Sequence, residues 1–342
     1  MAASNWGIVG HEWAVDGLRA SLASDRLGHA YLISGPSAIG KRLLATRLAQ
    51  AANCETGGPD PCMVCRTCRR IERGNYADVR LANMATQGAG LKPDDAARQR
   101  DLKIDTVREW LSDVTLKPYE GQRRFFILDD AERLTEAAAN AMLKTLEEPP
   151  PYATLILLAH TAGDLLPTIV SRCRNLKLRP IPRQQIAAAL SERLGIAPAD
   201  AALLAAWSNG RYGWAATMAA NPDEIEQQQG QLDAIIALGD QSRAEQLKWA
   251  EDRAKEHRGG EQAAMFATLD LWQSWWRDVM LLRAGTDDGI VFIDRRGELE
   301  RAARQRSVGE IHATIVRIGA AARQIRENVS PQLAIENVLL HM

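Results

Sequence analysis

Seven residues, Gly35-Pro36-Ser37-Ala38-Ile39-Gly40-Lys41, constrain this chain more than any others. They fit the pattern G-x-x-x-x-G-K and stand between an apolar run, Ala30-Tyr31-Leu32-Ile33, and a segment from 41 to 52 with helical apolar spacing. Strand, glycine loop and helix in that order gather backbone N–H groups and a lysine around one point, the arrangement that cradles a phosphate. The strand is apolar throughout, so it has to be buried on both faces, which asks for a parallel sheet with helices on either side.

The rest of the first half agrees. A helical pattern lies within 6 to 30 (Val15, Leu18, Leu22). Another runs from Ile104 to Leu116 and is followed by a turn at Lys117-Pro118-Tyr119-Glu120-Gly121. The apolar run Phe125–Leu128 then ends in Asp129. A helix over Ala137–Glu148 is stopped by Pro149, Pro150 and Pro151, and two more strands are expected at Leu155–Ala159 and Asn175–Leu178. The segment from about Met84 to Gln99 is polar and reads as a mobile connection. Together these predict one α/β domain over 1–180, with Arg179-Pro180-Ile181-Pro182 as its exit linker.

Beyond Pro182 the chain reads as helical, and only Ile290-Val291-Phe292-Ile293 is strand-like. A break at Ser208-Asn209-Gly210 interrupts a first small helical domain, 181–222. The remainder, 223–342, shows faces such as Ile311, Ile315, Ile318, Ala322 and Ile325, the pattern of a separate bundle. At roughly 150 residues per domain, 342 residues suggest two or three domains, and 46% hydrophobic residues suffice to fill them. A net charge of -1 argues against gripping phosphate backbones by bulk charge and favours protein partners. No stretch reaches the roughly 20 apolar residues of a membrane span, and the start MAASNWGIVG lacks a signal pattern, so a soluble, cytoplasmic protein is expected.

The phosphate loop is damaged where it matters for chemistry. A Ser or Thr hydroxyl should follow the lysine to hold magnesium, and Arg42 stands there instead. Asp129 is placed to hold a magnesium through water, but the next position, where a glutamate would polarise water, is Asp130, shorter by a methylene. Glu132 is a possible substitute in the following turn. The expectation is a degenerate site at Gly35, Gly40, Lys41, Arg42 and Asp129 that can hold ATP or ADP without productive magnesium.

Four of five cysteines are packed as Cys54-x7-Cys62-x2-Cys65-x2-Cys68. Four thiolates with two C-x-x-C spacings match a closed, tetrahedral structural zinc site, with free thiols or disulfides as the alternatives. Arg66, Arg69 and Arg70 accompany them, most simply as a solvated face.

These motifs can be read with His29-Ala30-Tyr31-Leu32, Leu116-Lys117-Pro118-Tyr119, the stretch from Ala139 to Pro150, and Ser171-Arg172-Cys173. So read, residues 6–180 resemble the bacterial clamp-loader AAA+ family, the loaders of DNA polymerase III. The resemblance implies an AAA+ α/β domain over 1–180 with a zinc module inserted at about 54–75, a helical lid over 181–222 and a helical collar for oligomerisation over 223–342. It implies a subunit of the polymerase (nucleotidyltransferase) holoenzyme, working in a cytoplasmic, nucleoid-associated replisome without membrane contact. Its partners would be the motor subunits gamma and tau and the delta subunit in a hetero-oligomeric ring. The sliding clamp and primer-template DNA would be reached indirectly.

Within that family the motors hydrolyse ATP and another class does not. Arg42 and Asp130 point to the latter. So does Gly213, which takes the place of a nucleotide-reaching lid arginine in Gly210-Arg211-Tyr212-Gly213, although Arg211 lies close enough to compensate. By the same resemblance, Arg172, flanked by Ser171 and Cys173, is an arginine finger that enters a neighbouring subunit's ATP site. The alternatives are an active motor-type ATPase and a zinc-module DNA-binding protein with a vestigial ATPase domain.

Overall fold

Alternation along the apolar runs decides how the α/β part is built. In the computed structural model, which describes residues 5–89, 99, 101–259 and 262–342, the strands are β1 (Ala30–Ser34), β2 (Val79–Ala82), β3 (Arg124–Leu128), β4 (Ala153–Ala159) and β5 (Arg174–Lys177). They form one sheet in the order β2-β3-β4-β1-β5, and every pairing is parallel. Because side chains alternate along a strand, Tyr31, Ile33, Phe125, Ile127, Ile156 and Leu158 enter one core. There they meet helices α1 (Glu12–Ala23) and α2 (Lys41–Asn53). Leu32, Phe126, Leu128, Leu155 and Leu157 enter the other, against Val107 and Met142. A short helix, α3 (Arg66–Glu72), follows the cysteines. Helices α4 (Ile104–Leu111) and α5 (Glu136–Glu147) cover the second face.

The boundaries differ from expectation for local reasons. The first helix starts only at Glu12, because Trp6, Gly7, Gly10 and His11 all take positive φ. Helix α4 stops at Leu111 rather than continuing to Leu116. Arg124, almost fully buried, there takes the Asp113 carbonyl (2.5 Å) and carboxylate (2.5 Å) and turns that stretch away from a helix. Strand β2 was not expected: it is short and half-buried at the sheet edge, so its apolar signal is weak. Met84–Gln87 forms a single helical turn, and residues 90–98 of the expected mobile connection lie outside the described residues.

The turn after α4 is held by two buried polar groups. Asp78 accepts the N–H groups of Tyr119, Glu120 and Gly121 (2.8, 2.9 and 2.8 Å). The side-chain Oδ1 of Asn53 accepts those of Gln122 and Arg123 (2.8 and 3.0 Å). A Cβ on Gly121 would lie 2.5 Å from Asn53 Oδ1, which is why glycine stands there.

The chain forms two compact units, Met1–Ile186 with Gly210–Gly213, and Ala187–Asn209 with Trp214–Met342. The second is helical and includes α6 (Pro198–Trp207), α7 (Gln262–Arg283), α8 (Val308–Arg326) and α9 (Pro331–Leu340). One core joins Trp207 to Trp272, Trp275, Ile311, Ile318 and Ile335, with Trp207 edge-on to Phe292 at 5.2 Å. The strand expected at Ile290–Ile293 is not formed. Ile290, Val291 and Phe292 are buried there, but the N–H groups of Val291 and Phe292 donate to the Asp278 carboxylate (2.7 and 2.9 Å), which replaces a neighbouring strand. Asp278 is fully buried and paired with Arg277 at 3.0 Å. Asp278→Ala strands two buried donors and is expected to lower stability by about 3 kcal/mol, read from urea unfolding of the full chain.

Candidate functional site

The loop after β1 is shaped by its glycines. Gly35 has φ 153°, and a Cβ there would lie 2.8 Å from the Leu178 carbonyl. Gly40, at φ 110°, is the residue before α2, so the first N–H groups of a long helix open into the loop. The loop borders a cavity of about 400 Å³ whose walls include Ile8, Lys41, Arg42, Asp129, Glu132 and His160. Four of the five residues predicted for the nucleotide site, Gly40, Lys41, Arg42 and Asp129, line it, and Gly35 forms the turn beneath.

Lys41 curls back, its Nζ donating to the carbonyls of Gly35 (2.7 Å) and Pro36 (3.1 Å). Burial holds this ammonium below its usual range, opposed by the nearby Glu132, Asp129 and Asp130 carboxylates. Burial and the charge of Asp130 push the Asp129 carboxyl up. Asp130 sits in the left-handed region (φ 59°), and its carboxylate receives the Met84 N–H at 3.4 Å, on the side of the turn that follows β2. Arg42 is exposed, so the position after the lysine carries a free-reaching cation in place of a ligand oxygen.

One residue of this site and one contact of another were not read from the sequence. His160, the residue after β4, bridges the loop and the acidic turn: Nε2 lies 2.7 Å from Ser37 Oγ, and Nδ1 is bonded to Glu132. Burial alone would raise the Glu132 carboxyl, but the hydrogen bond and charge of His160 carry it below its ordinary value. The contact is that of Gly213, whose N–H donates to the Ala38 carbonyl of the loop at 3.0 Å. A Cβ at Gly213 would lie 2.6 Å from that oxygen, so this position accepts no side chain without movement.

Arg172 lies away from this cavity, after the turn Pro167–Val170. Its Nη2 pairs with Glu147 (2.6 Å) and its Nη1 donates to the Thr168 carbonyl (2.9 Å), with 34% of the side chain exposed. A pair this exposed contributes at most ~1 kcal/mol, so a phosphate could displace the carboxylate. Ser171 donates to the Thr168 carbonyl (3.2 Å). Burial pushes the Cys173 thiol up to about 12, leaving it a neutral packing group against the second core.

The four clustered cysteines converge. Their Sγ atoms lie within 4.8 Å of one another, against about 3.8 Å between sulfurs of a tetrahedral zinc site with Zn–S bonds of about 2.3 Å. Successive N–H groups point at sulfur, Cys62 N to Cys54 Sγ, Cys65 N to Cys62 Sγ and Cys68 N to Cys65 Sγ, each at 3.3 Å. Such donors favour thiolates, and those of Cys65 and Val64 bring the Cys62 thiol down to about 6, whereas burial pushes Cys68 up. The donor set therefore suits a thiophilic metal ion. The module is tied to the sheet domain by Asp60, which accepts Trp6 Nε1 (2.7 Å) and Arg19 Nε (2.8 Å), and by Gln50, which donates to the Cys68 carbonyl (2.8 Å).

Comparison with known proteins gives this arrangement a family. The chain is 29% identical over 324 residues to DNA polymerase III subunit delta' of Bacillus subtilis, covering 94% of this chain and 92% of that one. It is 35% identical over 180 residues to the tau subunit of Escherichia coli, covering 52% of this chain but only 26% of tau. Among solved structures, a gamma subunit-related protein of Thermotoga maritima aligns over 96% of this chain and 98% of its own, with 20% identity and a TM-score of 0.46. The profile of the family described as "DNA polymerase III, delta subunit" matches residues 10–182, the loop, the cysteines and Arg172 included, and the chain belongs to that family.

Proposed function

We propose that this chain is a delta'-type subunit of a bacterial clamp loader, one that serves a neighbour's ATPase without hydrolysing ATP itself. One observation carries the reading, a separation of parts within one domain. The phosphate cavity holds Arg42 where a magnesium ligand is needed, Asp130 is turned to Met84 and Glu132 is bound to His160, whereas Arg172 stands weakly held on a different edge. Phosphoryl transfer needs a metal clamp, a group that orients water and a cation on the developing charge. Here the first two are lost and the third faces outward. In the ring, Arg172 enters the ATP site of an adjacent gamma or tau motor subunit, flanked by Ser171 and Cys173. The delta subunit is a further partner, and the assembly opens the sliding clamp and loads it on primed DNA. Similarity to a delta' subunit along nearly the whole chain supports this.

The division into a sheet domain (1–180), a lid (181–222) and a collar (223–342) belongs to the same reading. So does zinc at Cys54, Cys62, Cys65 and Cys68. Magnesium-dependent ATP turnover by the isolated full chain tests the non-hydrolysing part. We expect none above buffer background, for the chain as it is and for Arg42→Ser, because restoring one hydroxyl leaves Asp130 and Glu132 engaged. Turnover that Lys41→Ala abolishes would instead favour the motor-type ATPase.

A further inference from the structure

Asn53 and Asp78 stand on either side of the cysteine module, at about 54–75, and both reach the same turn. Between them they accept five consecutive backbone N–H groups, from Tyr119 to Arg123. The module adds a hold of its own: Arg70, on α3, pairs with Glu120 at 2.6 Å and lies 5.2 Å above the ring of Tyr76. The Tyr76 hydroxyl is 2.7 Å from the point that a Cβ on Gly121 would occupy, so ring and turn are in close contact.

Packing does not explain the shape of this turn. Tyr119 is 85% exposed and Leu116 59%, so these large side chains bury little and the backbone is held by polar contacts instead. Those contacts lead back to sulfur. Helix α3 has only seven residues, too few to persist alone, and its first turn is capped by Cys65 Sγ, which accepts the Cys68 N–H at 3.3 Å. Cys54 directly follows Asn53, the last residue of α2. A metal that fixes Cys54, Cys65 and Cys68 therefore fixes the helix that carries Arg70 and steadies the end of the helix that carries Asn53. Without it the short helix loses its anchor and Arg70 its position.

We infer that the cysteine module is a positioning device for the exposed turn 116–121, and that metal at the four cysteines, acting through Arg70, sets the shape in which Leu116 and Tyr119 are displayed. This rests on the zinc reading of the cysteines and adds what the metal controls, a carboxylate 50 residues along the chain from Arg70 and the turn around it.

The test is amide hydrogen exchange of the full-length chain, read by mass spectrometry with zinc bound and after its removal, by a chelator and separately by Cys68→Ser. The segment 116–123 is expected to exchange about tenfold faster without metal, as the loss of about one hydrogen bond would give, while β4 keeps its rate. Arg70→Ala, outside the ligand set, should speed the same segment with the zinc content unchanged. A turn indifferent to metal, a turn that loosens with metal loss but not in Arg70→Ala, or a β4 that loosens as much as the turn would each overturn this inference alone. A chain that purifies without metal would overturn the zinc reading and the inference with it.

Discussion

Replacing Arg172 by alanine is expected to lower ATP turnover about a thousandfold at the one motor site that it serves, in a clamp loader reconstituted around this chain. The size follows from the chemistry: charge accumulates on the transferring phosphoryl group, and a guanidinium brought by a neighbour stabilises it through paired, charge-assisted hydrogen bonds. Such an exchange would cost little. Glu147 and the Thr168 carbonyl hold the side chain in an exposed setting, so leaving them costs little. Turnover of the whole ring falls less than a thousandfold, since other motor sites keep their own partners. Assembly should be unchanged in gel filtration, because no buried contact is removed. A complex that assembles and turns over ATP at the unaltered rate would show Arg172 to be no more than an ion-pair partner of Glu147.

The second large effect is loss of the metal. The purified chain is expected to contain one zinc per molecule, and Cys68→Ser, at a fully buried thiol, should both release it and lower the melting temperature by several degrees. A bound zinc would fix sulfurs otherwise held only by hydrogen bonds, and module side chains enter the core beneath α2: Ile71 is buried there and Met63 packs against it. The loss should be confined to this unit. Asp60, Gln50 and the paired Arg47 and Glu72 (2.5 Å) tie the module to its surroundings, so their hydrogen bonds should loosen with it. A chain free of metal with unchanged melting would remove zinc from the account.

Much of this could be read from sequence because the signals are local. Strands β1, β3 and β4 are apolar runs buried on both faces, and the loop and cysteines are short patterns with fixed spacing. What escaped depends on partners far along the chain. Strand β2 exists because β3 offers it an edge, since three of its own four residues are only half-buried. The buried run at Ile290–Phe292 reads as a strand until Asp278 is seen to take its N–H groups. His160 gives no signal by itself: it matters through Ser37, 123 residues away, and Glu132, 28 residues away. The sequence marks Gly213 as lacking the lid arginine's side chain but not that the Ala38 carbonyl lies against it. The ion-pair partner of Arg172, Glu147, was visible only as part of a longer motif.

As proposed, this subunit contributes an arginine but not hydrolysis, and a mixed complex separates the two. Motor subunits carrying a substitution of their own phosphate-loop lysine would be assembled with the unaltered chain, and phosphate release measured with DNA and clamp present. The prediction is release no faster than the buffer background, since the only intact phosphate loop left would be the one followed by Arg42. Release above background that disappears with Lys41→Ala in this chain would contradict it.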